Sequence, residues 1–302
     1  MLRGLALVLL AAAPAWGGGA LSVVTTSTDL KSLVELVGGD RVRVLSLAPP
    51  IHEPHAVDVK PSQLAEVKSA ALLVRIGLDH EPWLARVLKT VRDPRFAPGS
   101  LHDLDASRGI ALLQAETPRV RSERAVHVHS FGNTHYWLDP ENARPITAAI
   151  LLALARLDPA GRPQLEQNRK RFLTDLDARL LRWSRATAPY RGTRVVVVHE
   201  TWPYFAQRFG LVVAAAIEPT PGVPPSASHL ASLIQHMKEA RVRLLIAGPE
   251  SDTAVVTQVA ARSGARAVTL IPSVGGDEAA RDYLSLFDVN VRRLTEALAA
   301  SR

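Results

Sequence analysis

From Leu21 onward, short apolar runs alternate with amphipathic segments of helical period, and this alternation allows few folds. Strands that alternate with helices indicate βαβ units, in which the strands pair in parallel. Strands are predicted near residues 21–25, 42–47, 71–76, 194–198, 211–216, 243–247 and 266–271. Helices are predicted near residues 29–38, 61–68, 81–90, 202–209, 227–240, 252–263 and 277–300.

Between the two groups of strands, residues 163–187 place apolar side chains on one helical face, with no Gly or Pro after Pro163. This spacing predicts one long helix, either a bridge between two lobes or a surface helix within one domain. We favour the bridge and expect an α/β fold of two lobes with mostly parallel sheets flanked by helices. The expected divisions are a signal peptide (1–20), an N-terminal lobe (21–160), a linking helix (161–188) and a C-terminal lobe (189–302).

The first 20 residues have the pattern of an export signal. Arg3 is followed by an apolar stretch that ends in Ala13-Pro14-Ala15, a small-residue cleavage site. The chain contains no cysteine, so neither a disulfide, a thiolate metal site nor a lipid-anchor cysteine is available. We therefore expect an exported, periplasmic protein whose signal peptide is cleaved and which carries no lipid anchor.

The formal net charge is +7, but basic and acidic residues are interleaved along the chain. Nucleic-acid binding usually requires a basic cluster, often with interleaved aromatic residues, and the sequence contains no such cluster. We expect a solvated surface rather than a nucleic-acid partner.

Three widely separated histidines, His55, His135 and His199, each lie just beyond an apolar run. In parallel sheets, ligands bind in the crevice beyond the carboxyl ends of the strands, where such side chains converge. Imidazole is the commonest protein ligand for a borderline metal such as zinc. The pattern therefore predicts a metal site built from these three histidines.

The remaining histidines give weaker signals. His52 and Glu53 precede His55. The helical metalloprotease motif needs histidines at i and i+4, and it is excluded because His52 and His55 are three residues apart with Pro54 between them. His127 and His129 are interpreted either as a metal-collecting loop or as solvated residues. Four others are interpreted as structural: His80, His102, His229 and His236.

Most enzymatic signatures are missing: there is no nucleophile elbow, phosphate loop or dinucleotide fingerprint. A catalytic zinc site, however, commonly has three protein ligands and a water. A zinc hydrolase of the cell envelope therefore stays open as an alternative, with Glu53, Glu200 or Glu218 as its acid or base.

Taken together, the motifs resemble the substrate-binding proteins of zinc and manganese ABC importers, over about residues 23–293. The resemblance rests on segments throughout the chain: residues 24–26, 37–40, 53–55, 60–62, 81–84, 135–140, 199–205 and 210–211, with Tyr283 and Asn290. It implies that His55 and His135 belong to the N-terminal lobe and His199 to the C-terminal lobe, so that the metal bridges the cleft.

The family often adds a carboxylate ligand near the position of Pro272 and Ser273, where this chain has no acid. Asp277 from a shifted loop, Glu53 or a water is the expected fourth ligand. A nitrogen-rich site favours zinc over manganese, which prefers more oxygen donors.

The resemblance implies a non-enzymatic, monomeric periplasmic receptor. It would capture zinc and hand it to an ABC permease at the inner membrane, driven by a separate ATPase. Besides the hydrolase, an envelope adhesin or a metal chaperone is a third possibility.

Overall fold

A computed structural model describes residues 19–50, 57–114, 132–218 and 223–301. Within them the chain forms two sheets, each of four parallel strands. The predicted α/β architecture of two lobes, with sheets flanked by helices, is therefore confirmed. The strands are β1 (Leu21–Thr25), β2 (Val42–Ser46), β3 (Leu72–Arg75), β4 (Asp103–Asp105), β5 (Arg194–Val197), β6 (Val212–Ala216), β7 (Leu244–Ala247) and β8 (Arg266–Thr269).

The two sheets repeat one topology. The first has the order β2-β1-β3-β4 and the second the order β6-β5-β7-β8. In each, the strand order reverses between the two central strands, and ligands of parallel sheets bind beyond the carboxyl ends at such a switch point. The helices are α1 (Thr28–Gly38), α2 (Pro61–Ser69), α3 (Leu84–Val91), α4 (Ala143–Leu157), α5 (Arg162–Thr187), α6 (Pro203–Phe209), α7 (Ala227–Glu239), α8 (Thr253–Ser263) and α9 (Tyr283–Ala299).

Helix α5 joins the lobes, as predicted. Its 26 residues correspond to a length of about 39 Å. Near its beginning, the side-chain amide of Asn168 donates to the carbonyl of Val37 at the end of α1. Near its other end, Trp183 packs against Phe287 of α9, with the ring planes tilted by 42°, and donates from Nε1 to Asp288. The helix is thus packed against both lobes.

Direct hydrogen bonds also connect the lobes. The amide of Val274, in the loop after β8, donates to Oδ1 of Asp29 at 2.9 Å. The amide of Tyr283 donates to Oγ of Ser32 at 3.0 Å, and Trp137 Nε1 donates to the carbonyl of Pro272 at 2.9 Å. One continuous apolar core includes residues of both lobes. These contacts hold the carboxyl ends of the two sheets at a defined separation.

Strand β4 and the beginning of the last helix differ from the expectations. Strand β4 was not predicted, because its sequence Asp103-Leu104-Asp105 is short and mostly charged. Arg75 on β3 compensates these charges with ion pairs of 2.9 Å to Asp103 and 3.0 Å to Asp105. The last helix begins at Tyr283 rather than at Asp277, because Asp282 is its N-cap and accepts from the amides of Leu284 and Ser285.

Among the described residues, no helix combines the length and apolar character that crossing a membrane requires. The signal-peptide prediction concerns residues 1–20, of which 1–18 lie outside the described residues. The proposed division into lobes and linking helix at residues 160 and 188 stays a prediction.

Asp29 carries a buried carboxyl group at the contact between the lobes. Burial raises the pKa of its carboxyl group to about 7, against the lowering effect of the hydrogen bond from Val274. The other carboxyl oxygen, Oδ2, is buried and has no hydrogen-bond partner among the described residues. A folded-state pKa above that of the unfolded chain means that ionising Asp29 destabilises the fold as the pH rises from about 4 to about 7.

We therefore expect Asp29→Asn to be more stable than the wild type at pH 8. The difference in free energy of unfolding, at most about 4 kcal/mol at roughly 1.36 kcal/mol per pKa unit, should shrink toward pH 4. Urea unfolding between pH 4 and 8 measures it, with exposed Asp58→Asn as the control. A difference that does not change with pH would contradict this account of Asp29.

Candidate metal centre

Two of the three predicted histidines meet where the carboxyl ends of the sheets face each other. His199 follows β5, separated from it only by Val198, and His135 precedes a short 3-10 turn at Tyr136–Leu138. Their ring centroids are 5.8 Å apart, with the planes nearly perpendicular at 79°. His135 lies in the N-terminal lobe and His199 in the C-terminal lobe, as the resemblance implied.

A local turn orients His135. The side-chain oxygen of Asn133 accepts from the amide of His135 at 3.0 Å and lies 3.2 Å from its Nδ1. When Nδ1 donates to this oxygen, Nε2 carries the lone pair that a metal requires. The His135 side chain is buried, being only 4% exposed, so its orientation is set by this surrounding structure.

A carboxylate orients His199. Its Nδ1 lies 3.0 Å from Oε2 of Glu218, which follows β6. A carboxylate that accepts from Nδ1 selects the tautomer with a basic Nε2 and increases its basicity, as the outer partners of metal-bound histidines do. Glu218 was considered from the sequence only as an acid or base, and the structure gives it this orienting contact.

Asn133 also connects the two halves of the site. Its side-chain nitrogen donates to the backbone carbonyl of Glu200 at 2.8 Å, one residue beyond His199. The hydroxyl of Tyr204 on α6 donates to the Asn133 carbonyl at 2.9 Å and accepts from the amide of Leu113 at 3.0 Å. Asn133 therefore contributes both to the orientation of His135 and to its distance from His199.

The spacing of the two imidazoles suits a shared metal ion. At zinc–nitrogen distances of about 2.0 to 2.1 Å, two imidazoles on a tetrahedral centre place their ring centroids about 5 Å apart. The observed 5.8 Å lies close to this value.

The third predicted histidine, His55, lies outside the described residues, as do His52, Glu53, His127 and His129. Within the described part of the chain, no group of three or more His, Asp or Glu side chains has the arrangement of a metal site. The described geometry thus involves one pair of histidines, and the role of His55 stays a prediction.

Asp277, a predicted candidate for the fourth ligand, forms an ion pair of 2.5 Å with Arg293 on α9. Its other oxygen accepts from the amide of Ala279 at 2.9 Å. These two contacts hold the pKa of the Asp277 carboxyl below its usual value, the Ala279 bond having the larger effect. Ligation by Asp277 requires the ion pair to break, and it stays a prediction.

His80 was interpreted as structural, yet it lies against the candidate site. It is buried, and its ring centroid is 5.4 Å from that of His135 and 5.1 Å from Trp137. It follows β3 at the switch point of the first sheet, and this placement after a strand is the signal that could have identified it. By contrast, His102 donates from Nδ1 to the carbonyl of Ala71, at the opposite end of β3 from His80.

Next to His80, the buried carboxyl group of Glu81 is hydrogen-bonded to the backbone that follows strand β3. It accepts from the amides of Ile76 and Gly77 at 2.6 and 3.1 Å and from the Thr26 hydroxyl at 2.5 Å. Burial raises the pKa of Glu81 to about 7, against these hydrogen bonds.

The chain is similar to known zinc-uptake proteins in sequence and in fold. The high-affinity zinc uptake system protein ZnuA of Bacillus subtilis is 26% identical over 291 residues, covering 93% of this chain and 88% of the relative. ZnuA of Yersinia pestis is 25% identical over 268 residues, covering 84% of each chain. A crystal structure of ZnuA superposes with a TM-score of 0.76 at 28% identity, covering 92% of this chain and 99% of that one.

The family model for ZnuA, the periplasmic component A of the zinc-uptake complex, matches residues 23–297. This match includes both lobes, the linking helix and both described histidines of the site. The chain belongs to the ZnuA family of periplasmic zinc-uptake proteins.

Proposed function

We propose that this protein is a periplasmic receptor that binds zinc between its lobes and delivers it to the permease of an ABC importer. The observation that carries the proposal is the pairing of His135 and His199, one from each lobe, at a centroid distance of 5.8 Å. Each ring has an outer partner at Nδ1, Asn133 or Glu218. Such partners set the tautomer that binds metal through Nε2.

We propose His55 as the third ligand. It follows β2, which neighbours β1 in the first sheet, so its loop starts at the same edge as the described site. The fourth position is proposed for Asp277, Glu53 or a water. Since three imidazoles make a nitrogen-rich site, zinc is favoured over manganese, and the relatives named above are zinc uptake proteins.

Binding and release, rather than catalysis, is the activity proposed here. The zinc hydrolase alternative needs a carboxylate that activates a metal-bound water. Of the acids considered from the sequence, Glu218 contacts Nδ1 of His199, and no observation favours hydrolysis. The partners that we propose are the permease and its ATPase at the inner membrane. The receptor is proposed to act as an exported monomer after cleavage of its signal peptide.

Metal preference is the direct test of the function. Purified protein should contain about one zinc per chain by elemental analysis, and competitive titration should show zinc bound more tightly than manganese. The physical reason is the softer imidazole donor set. A manganese preference would overturn the choice of ion, and failure to bind either metal would overturn the proposed receptor function.

Replacing His199 by Ala should weaken zinc binding by more than about 100-fold, since it removes a ligand, whereas loss of an outer partner costs about 10- to 100-fold. The metal-free protein should keep its melting temperature, because the His199 side chain is at the edge of the cleft and 19% exposed. His236→Ala on the surface of α7 is the matched control. An unchanged zinc titration for His199→Ala would remove this residue from the site.

Replacing Glu218 by Gln tests the orienting contact. Gln keeps an acceptor near Nδ1 but loses the negative charge, so zinc affinity should fall about 10-fold, and Glu218→Ala should fall further toward about 100-fold. Isothermal titration with a competing chelator measures both. The control is Glu239→Gln at the exposed end of α7, and equal affinities for all variants would contradict the role of Glu218.

A further inference from the structure

The turn that follows β3 has an uncommon backbone. Gly77, Leu78 and Asp79 have consecutive positive φ angles of 80°, 56° and 57°. For Leu78 and Asp79 this left-handed conformation is costly, and it persists only where surrounding contacts stabilise it. The Glu81 carboxyl group stabilises the turn by accepting from the amides of Ile76 and Gly77.

This turn places His80 against the segment that carries His135. The two rings meet edge to face at 90°, and His80 also meets Trp137 at 78°. The Nδ1 atom of His80 lies 2.8 Å from the hydroxyl of Thr134, the residue before His135. His80 therefore contacts both the ring of His135 and the backbone segment that bears it.

We propose that His80 is a positioning residue of the metal site, which holds the His135 ring in its ligating orientation before the metal arrives. The inference rests on the proposed function and extends it to a residue outside the ligand set. A ring that is already held loses less side-chain freedom when it binds, and the metal is bound more tightly as a result.

The contacts of His80 explain why a histidine serves here. Its ring is 1% exposed and fills the space beside His135 and Trp137. An apolar side chain would fill the same space but would leave the buried Thr134 hydroxyl without its partner at 2.8 Å. The ring thus supplies both packing and a hydrogen bond that fixes residues 134–135 relative to β3.

The test compares three variants with the wild type. His80→Ala removes the ring and the hydrogen bond, Thr134→Val removes only the hydrogen bond, and His80→Asn keeps a polar partner for Thr134. His102→Ala is the matched control, a partly buried histidine of the same lobe that bonds to the Ala71 carbonyl. Each is measured for zinc affinity by chelator competition, for the visible spectrum of its cobalt complex and for the melting temperature of the metal-free protein.

We expect about 10- to 100-fold weaker zinc binding for His80→Ala, as for other outer partners of metal ligands, and a smaller loss for Thr134→Val. His80→Asn should recover part of the affinity, and His102→Ala should match the wild type. In metal-free His80→Ala, the His135 ring should be free to turn away from the Asn133 oxygen that selects its tautomer, so nitrogen NMR should show a mixture of tautomers in place of one. The cobalt spectrum should change because the His135 ligand is displaced.

Unchanged affinity and cobalt spectrum in folded His80→Ala would overturn the proposal. The proposal would also be overturned if the zinc affinity of His80→Ala fell only in proportion to its melting temperature, with the cobalt spectrum and the His135 tautomer unchanged from the wild type. If His80→Ala does not fold, the same two outcomes are judged on Thr134→Val, which keeps the ring. A wild type that binds no zinc would refute the proposed function itself, and the inference with it.

Discussion

The geometry of the candidate site depends on the side chain of Asn133. Its oxygen accepts from the amide of His135 and lies beside Nδ1 of that ring, while its nitrogen donates across the cleft to the carbonyl of Glu200. One planar amide therefore contributes to both the orientation of His135 and its distance from His199. Since an amide can satisfy a donor and an acceptor at fixed angles, these two settings are coupled.

The rest of the molecule keeps this small network in place. Helix α5 packs against α1 at one end and α9 at the other, and the Val274 amide bonds to Asp29 across the lobes. With a continuous core shared between the lobes, a large hinge motion would expose apolar surface and break these bonds.

Much of the fold follows from local pattern. Each predicted strand of the two sheets is observed within two residues of its expected ends, because runs such as Val195-Val196-Val197 are buried on both faces of a parallel sheet. Strand β4 was not predicted because its pairing depends on Arg75 of the neighbouring strand β3, which forms ion pairs with Asp103 and Asp105. Helix α9 begins after its N-cap Asp282, although the amphipathic pattern of the sequence extends further upstream.

The candidate site, like the fold, was predicted from the sequence only in part. Histidines beyond apolar runs are readable in the sequence, because strand ends in a parallel sheet gather at one edge, and His135 and His199 do meet. The local sequence pattern does not show which side chains contact each other. The contacts of His80 with His135 and of Glu218 with His199 are therefore seen only in the tertiary structure. Residue type and periodicity thus predicted the two-lobed scaffold and the meeting of His135 with His199. Tertiary packing decided how each ring is held, since His80 and Glu218 come from strand ends that are distant in the chain from the rings they contact.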